Sequence, residues 1–244
     1  MNLSANATTN TVKGLSGFRL VGKALFLVSG GIDSPVAAWL LMRKGVEAVF
    51  AYFDNYPLCD QAAESIAIDA IKMVCEKVEV ESGRVYVVSH SPDLQDILSK
   101  CPVKYACILS RRIMFRVAER IALREGCQAI VTGDALGQKA SQTLQNIVAA
   151  DSVLNKVLVL RPLVGMNKLQ IEQCAKKVGT YPISTRPGVA TCGVPTDNPS
   201  TSAKRDRLKE VEMALDVEAM VKRDLEKARV LTIRAANLAP PQRS

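Results

Sequence analysis

The sequence predicts an α/β protein: a doubly wound, mostly parallel sheet with helices on both faces, plus a helical extension at the C-terminal side. Three observations lead there. Short apolar runs at 24–28, 48–53, 85–89, 129–132 and 157–160 alternate with helix-like stretches at 36–43, 60–77, 104–124 and 168–178, and such alternation builds βαβ units with right-handed crossovers. A glycine-rich turn, SGGIDS at Ser29 to Ser34, joins the first apolar run to the first helix. The chain has 244 residues, 48% of them hydrophobic, enough for one large domain with a substantial core.

In chain order, residues 1–22 open with a stretch rich in Asn, Thr, Ser and Ala that contains no apolar signal-peptide core, and are expected to be a disordered leader. The strand at 24–28 then delivers the chain into the turn, at the strand end where α/β proteins bind phosphate. Gly30 and Gly31 carry no Cβ and can take φ > 0, so their amides can form a concave nest for an anion. Ser29 and Ser34 add hydroxyls, and Pro35 suits a first helical position. A helix terminus contributes only ~0.3–1 kcal/mol when exposed, so tight binding needs several amides, a cation and a shaped pocket together. The turn is not a Walker A motif, because spaced glycines followed by Lys and Ser/Thr are missing. Read alone, it also fits an ordinary strand-to-helix turn with a capping Ser or Asp.

Further along, the helix at 104–124 carries an apolar stripe (Met114, Val117, Ala118, Ile121), while Arg112, Arg116, Arg120 and Arg124 repeat at i+4 on another face. That basic stripe is a candidate for phosphate-backbone contact, with a solvated helix face as the alternative. Residues 180–200, rich in Pro, Gly, Thr and Ser, should be a loop, and 202–236 a charged helical tail of mixed sign. The expected organisation is a leader (1–22), a nucleotide domain (23–200), a helical extension (201–236) and a tail (237–244). Net charge of +8 is compatible with an anionic macromolecular partner. Seven cysteines without tight pairing indicate a reducing, cytoplasmic setting. No apolar stretch reaches the roughly 18 residues needed to span a bilayer, so no membrane association is expected.

The SGGIDS hexapeptide resembles the pyrophosphate loop of the PP-loop ATP pyrophosphatases. Thr132 to Gln142 read TGDALGQKASQ and continue through Thr143-Leu144-Gln145-Asn146. With KYACILSRR at 104–112 and Arg161-Pro162-Leu163, this block resembles, in order and spacing, the ThiI family of tRNA 4-thiouridine synthetases, also linked to thiamine biosynthesis. The resemblance runs from about residue 24 to 209 and implies an ATP site. It implies that Leu27, Val28, Tyr52 and Phe53 border adenine and ribose, that Ser29, Gly30, Gly31, Asp33 and Ser34 hold pyrophosphate, and that Arg111, Gly133 and Gln142 complete the pocket. Each type suits its place: a glycine permits close approach, a guanidinium forks onto phosphate, and an amide both donates and accepts. For Tyr52 and Phe53 alone, core packing is the default reading.

By the same resemblance Asp33 organises Mg²⁺ or the loop itself, although a helix cap is its plain alternative. Lys168 matches the family's active-site lysine and should act on the α-phosphate and leaving pyrophosphate; read alone it is a surface lysine at a helix start. Cys192, in ATCGVP at 190–195, matches the family's sulfur-transferring cysteine, since a loop thiol near cations can carry persulfide. Cys75, Cys127 and Cys174 are expected to be buried and inert. No protein metal site is expected: where relatives have Cys-x-x-Cys, this chain has Cys107-Ile108-Leu109-Ser110, leaving too few thiolates for an iron–sulfur cluster. A Cys107–Cys192 redox pair is the alternative.

The resemblance implies adenylation of O4 of a tRNA uridine followed by sulfur transfer. Its expected partners are tRNA and a persulfide carrier such as a cysteine desulfurase, or free sulfide. Family members carry ferredoxin-like and THUMP domains, whereas this chain offers only its polar leader and no rhodanese segment follows. A THUMP-domain protein acting in trans, or a homodimer, is therefore expected to assist. Sulfur transfer to a thiamine-thiazole carrier or another small acceptor, and a non-catalytic nucleotide-binding subunit, remain as alternatives.

Overall fold

In the computed structural model, which describes residues 22–188 and 198–234, the expected alternation is realised. The chain runs through β1 (Gly22–Leu27), α1 (Asp33–Met42), β2 (Val46–Asp54), α2 (Ala63–Lys77), β3 (Ser82–Ser89) and α3 (Ser91–Lys100). It continues through α4 (Ala106–Arg124), β4 (Ala129–Val131), α5 (Leu144–Asp151), β5 (Leu158–Leu160), α6 (Lys168–Val178) and the short α7 (Tyr181–Ser184). Beyond residue 198 come α8 (Arg205–Glu212), α9 (Val217–Lys227) and β6 (Arg229–Arg234). The six strands lie in the order β5-β4-β1-β2-β3-β6. The first five are parallel, and β6 runs antiparallel along β3.

Alternation along the strands divides the core between the two faces. Leu25, Val49, Ala51 and Phe53 pack under α3, α4, α8 and α9, while Ala24, Phe26, Phe50 and Tyr52 pack under α1, α2 and α6. Because each side chain on a strand points opposite to its neighbours, near-continuous apolar runs are needed to supply both layers. Helix ends are written locally. Asn167 and Gln170 form a reciprocal capping box that starts α6. Gly179 ends it at φ 94°, where a Cβ would press on the Met73 sulfur at 3.1 Å.

Several expectations are corrected. The tail read as helical ends in a strand: β6 adds to the β3 edge, and Ile233 from it is buried in the core. Its three apolar residues between the arginines, Val230, Leu231 and Ile233, are too few to show a clear period, so only pairing with β3 reveals it. Helices α3 and α5 were not anticipated, both being too short for a long helical period, and α7 interrupts the segment expected to be loop. Helix α1 begins at Asp33, which makes Pro35 the third helical residue rather than the first. Cys75 and Cys127 are buried as expected, but Cys174 is only partly so.

The basic stripe of α4 is a further one. Arg112 is 2% exposed and donates from Nε and Nη2 to the Glu212 carboxylate at 2.7 and 2.8 Å, and from Nη1 to the Ala149 carbonyl at 2.6 Å. Arg116 forks onto the same carboxylate at 2.9 and 3.0 Å, and Arg120 reaches Glu218 at 3.4 Å. Burial would raise the Glu212 pKa, yet the two guanidiniums hold it below its ordinary value. Arg112 and Arg116 are therefore part of the seam between α4 and α8 rather than a free phosphate-binding face, while Arg120 and Arg124 stay exposed.

A second seam lies beside it. His90, wholly buried, has Nδ1 at 3.3 Å from Asp93 Oδ2 and 3.5 Å from Asp224 Oδ2, with Nε2 at 2.9 Å from the Ser110 hydroxyl. The Phe53 ring meets the imidazole edge-on at 5.6 Å. Ser110, the position that departs from Cys-x-x-Cys, thus serves as a partner of His90, and α9 is tied through Asp224 to the centre of the fold.

Candidate active site

The strand order reverses at β1: β2 and β3 follow on one side, then the chain crosses to place β4 and β5 on the other. Ligand clefts of open α/β sheets form at the carboxyl end of such a switch point, and the SGGIDS turn stands there. Its hydroxyls order it from within. The Ser29 N–H donates to Ser34 Oγ at 2.8 Å, the Gly31 N–H to Ser29 Oγ at 3.3 Å, and the two hydroxyls are 3.1 Å apart. No side chain caps α1, whose N-cap residue is Ile32, so its positive end is left to a ligand.

The glycines are explained by space, not by left-handed backbone. Neither Gly30 nor Gly31 takes positive φ. A Cβ on Gly30 would lie 3.1 Å from Ile66 Cγ2, which brings α2 against the turn. At Gly133, a Cβ would lie 2.6 Å from the Ser34 nitrogen and 2.7 Å from its Cα. The close approach demanded there is that of α1 itself: the end of β4 is locked against the phosphate turn.

Asp33, half-buried at the first helical position, has its carboxyl pKa raised by burial, with Lys139 and then Lys168 pulling it back. Lys168 is exposed at the first position of α6. Both lysines therefore act on the turn's one carboxylate.

Asp134, next after Gly133, is 4% exposed and gathers the opposite wall. It accepts from Arg111 Nη2, from Thr132 Oγ1 at 2.8 Å, from Arg161 Nε at 3.1 Å and from Gln142 Nε2 at 3.4 Å. Burial would raise its pKa; Arg111, Thr132 and Arg161 together hold it below the ordinary value. Arg161 also forks onto Asp151 at 2.6 and 2.9 Å. Two polar atoms in this wall, Arg111 Nε and Gln142 Oε1, are buried without a hydrogen-bond partner among the described residues. A donor and an acceptor left unsatisfied in one wall fit a polar ligand.

Leu27 ends β1 and Val28 follows it, with the Val28 N–H bonded to the Ala51 carbonyl at 3.0 Å. Tyr52 and Phe53 are buried on opposite faces of the sheet near the end of β2. Burial raises the Tyr52 hydroxyl pKa, with Asp54 adding to the effect. Cys192 lies outside the described residues. Of its flanks, Gly188, at φ 84°, lies so near Asp60 that a Cβ would stand 2.9 Å from Oδ1. On the other side Asn146 clasps the chain, donating to the Ser200 carbonyl at 2.7 Å and accepting from the Ala203 N–H at 2.9 Å.

Sequence reasoning thus missed Asp134, Lys139 and the clasping role of Asn146. All three fall inside the stretch 132–146 that carried the resemblance, but their partners lie far away in sequence and only the fold reveals them.

A family model described as thiamine biosynthesis protein (ThiI) matches residues 20–217. The chain belongs to the ThiI family. Among curated relatives, a probable tRNA sulfurtransferase of Methanosarcina mazei is 38% identical over 225 residues, covering 91% of this chain and 55% of the relative. One of Caldanaerobacter subterraneus is 40% identical over 202 residues, covering 82% and 52%. This ThiI-family chain therefore spans about half the length of the curated relatives it matches. A crystal structure of a 4-thiouridine synthetase–RNA complex with bound ATP superposes with a TM-score of 0.82 at 34% identity, over 87% of this chain and 55% of that one. An NMN synthetase from Francisella tularensis shares the fold, with a TM-score of 0.50 at 17% identity over 82% of this chain and 75% of that one. Among the described residues, no helix is long and apolar enough to cross a membrane.

Proposed function

We propose that this chain is the adenylating and sulfur-transferring part of a tRNA uracil 4-sulfurtransferase. The observation that carries the reading is the phosphate turn with an uncapped helix behind it, locked through Gly133 to a wall whose Arg111 and Gln142 each present an unsatisfied polar atom. In this reading the amides at 29–34 and the start of α1 receive the pyrophosphate of ATP, and Lys168 neutralises charge as it leaves. Arg111 and Gln142 hold the nucleotide's remaining polar edges. A divalent cation such as Mg²⁺ would supply further charge neutralisation, and Asp33 is the carboxylate placed to hold it.

No general base stands among these residues, so their contribution is positioning and electrostatics. Uridine O4 attacks the α-phosphorus and pyrophosphate departs. The terminal sulfur of a persulfide on Cys192 then attacks C4 and AMP leaves, which yields a disulfide between base and Cys192. A second thiol, for which Cys107 in the first turn of α4 is the candidate, attacks Cys192 Sγ. This releases the 4-thio base and leaves a Cys107–Cys192 disulfide for a cellular thiol reductant to reduce. Because the chain spans only about half of its relatives, binding of tRNA is assigned to the protein together with a THUMP-domain segment or partner, or to a homodimer.

The test is incubation with Mg-ATP, a persulfide or sulfide donor and unmodified tRNA, with and without a THUMP-domain protein, followed by nucleoside mass spectrometry. We expect 4-thiouridine to form, and Cys192→Ala to abolish it while pyrophosphate release persists. Pyrophosphate release stimulated by small acceptors rather than by tRNA would turn the reading toward the thiamine branch that the family description names.

A further inference from the structure

A uridine that is paired and stacked cannot bring O4 to an α-phosphorus held at the carboxyl end of the sheet, so an unpaired strand must cross the rim of the cleft. One stretch of that rim is exposed, basic and built from three segments. A 3-10 turn at Val103–Tyr105 leads into α4, whose second turn sends Arg111 to Asp134 in the site wall. Six residues of helix put Tyr105 about 9 Å along the axis from that arginine. The Lys104 carbonyl accepts from the Ser200 N–H at 2.9 Å. The Thr143 hydroxyl donates to the Thr201 carbonyl at 2.6 Å, and Asn146 holds Ser200 and Ala203. The start of α5, the turn before α4 and the approach to α8 are thereby fastened together.

Lys104, Lys204 and Arg205 stand on this junction, exposed and in no ion pair among the described residues. Arg207 is different, because its guanidinium donates to Glu210 at 2.7 Å, and Asp206 offsets part of the charge. Stability does not account for the free cations. Lys204 and Arg205 open α8, the end of a helix where positive charge is disfavoured. Lys104 Nζ lies 5.2 Å from the centre of the Tyr105 ring, which is partly buried and packs on the core cluster that holds Leu208. Cations on a fixed backbone beside an aromatic ring are what a groove for single-stranded nucleic acid requires: charge for the phosphates and a flat face for a base.

We propose that this junction is the docking surface for the single-stranded RNA beside the target uridine: Lys104, Lys204 and Arg205 meet its phosphates, and the Tyr105 ring stacks one unpaired base. The inference rests on the tRNA reading above for the identity of the strand. It adds a grip that belongs to this chain, besides the one assigned to a THUMP-domain segment or partner. The ammonium of Lys104 is held over the ring only by the attraction of a cation for an aromatic face, worth about 0.5–1 kcal/mol at an exposed site. A base that takes its place on the ring brings a phosphate for the ammonium to move to.

The experiment is fluorescence anisotropy of the full chain with labelled unmodified tRNA and with a uridine-containing single-stranded RNA oligonucleotide, over a series of potassium chloride concentrations, with and without a THUMP-domain protein. Thermal unfolding checks that each variant is folded. The triple variant Lys104→Ala/Lys204→Ala/Arg205→Ala should lower the slope of log Kd against log salt by about 2, at about 0.7 for each phosphate contact on a single strand. The triple variant Lys44→Ala/Lys77→Ala/Lys156→Ala removes the same charge near the amino ends of the strands and should keep the native slope. Tyr105→Ala should weaken binding roughly tenfold, the scale of one stacked base, with the slope unchanged, and Tyr105→Phe should bind as native does. Equal slopes for the two triple variants, or a native chain that binds neither RNA, overturn the inference. So does a first triple variant that binds RNA normally but no longer accepts sulfur from a persulfide carrier, which would make the surface a dock for an acidic protein. A native chain that shows the expected slopes yet forms no 4-thiouridine overturns the reading above and leaves the RNA surface standing.

Discussion

Replacing Gly133 by alanine tests whether the β4 end and the phosphate turn are one rigid unit. The new methyl would sit 2.6 Å from the Ser34 nitrogen, 2.7 Å from its Cα and 2.9 Å from the Asp33 carbonyl carbon. All three are backbone atoms, so no rotamer relieves the contact. Helix α1 would have to retreat by most of an ångström, and its far side is packed, with Val36 and Ala37 buried against the core shared with α2 and α6. Overpacking of this kind costs about 1–3 kcal/mol. The functional loss should be larger, because displacing a positioning element by about 1 Å can lower the rate about 100-fold. Denaturant unfolding and pyrophosphate release give the two readouts. Gly126→Ala is the control: its φ of 69° makes alanine strained, but nothing lies within 4 Å of the added Cβ and it follows the far end of α4. That variant should lose a similar stability, about 1–2 kcal/mol, and keep its turnover. Gly133→Ala turning over within threefold of native would refute the coupling.

Three further outcomes follow from the buried charges. Asp134→Ala leaves Arg111 and Arg161 without their shared carboxylate and should cost about 3–5 kcal/mol, measured by urea unfolding. Because the folded-state pKa of Asp134 is lowered, its contribution is present at neutral pH and should be lost as pH falls below about 4. His90 behaves oppositely. Burial works against its charge, but Asp224 and Asp93 raise it from 6.5 to about 8. Its contribution is therefore full below pH 6.5 and should fade by up to about 2 kcal/mol as pH rises through 8, a slope that His90→Gln should lack. Arg112→Ala should unfold at markedly lower denaturant, the cost of breaking a buried pair being about 3–5 kcal/mol. Measured with a THUMP-domain protein present, the salt dependence of the proposed tRNA binding should match that of native protein, since this guanidinium is turned onto Glu212.

Much of this was legible in the sequence because it is local. The runs at 24–28 and 48–53 are strand-length and apolar on both faces, the span 168–178 matches α6 residue for residue, and SGGIDS sits at a strand end whatever surrounds it. What was not legible depends on distant partners. The spacing of Arg112, Arg116 and Arg120 looks like a basic face until Glu212 and Glu218, about a hundred residues later, are seen to cover it. The glycine at 133 was read as room for a ligand, and only the packing shows that the room is taken by α1. Arg229 to Arg234 is short, charged at both ends and exposed at most positions; it becomes a strand because β3 has an open edge.

That last pairing has a bearing on synthesis. Since β6 is contributed by residues 229–234, the amides and carbonyls along the outer side of β3 find their strand partners only after that segment has left the ribosome, about 140 residues later than β3 itself. Until then the nascent domain carries a bare edge, open to association with other chains, and a release stalled before Arg229 should yield aggregates rather than a folded domain.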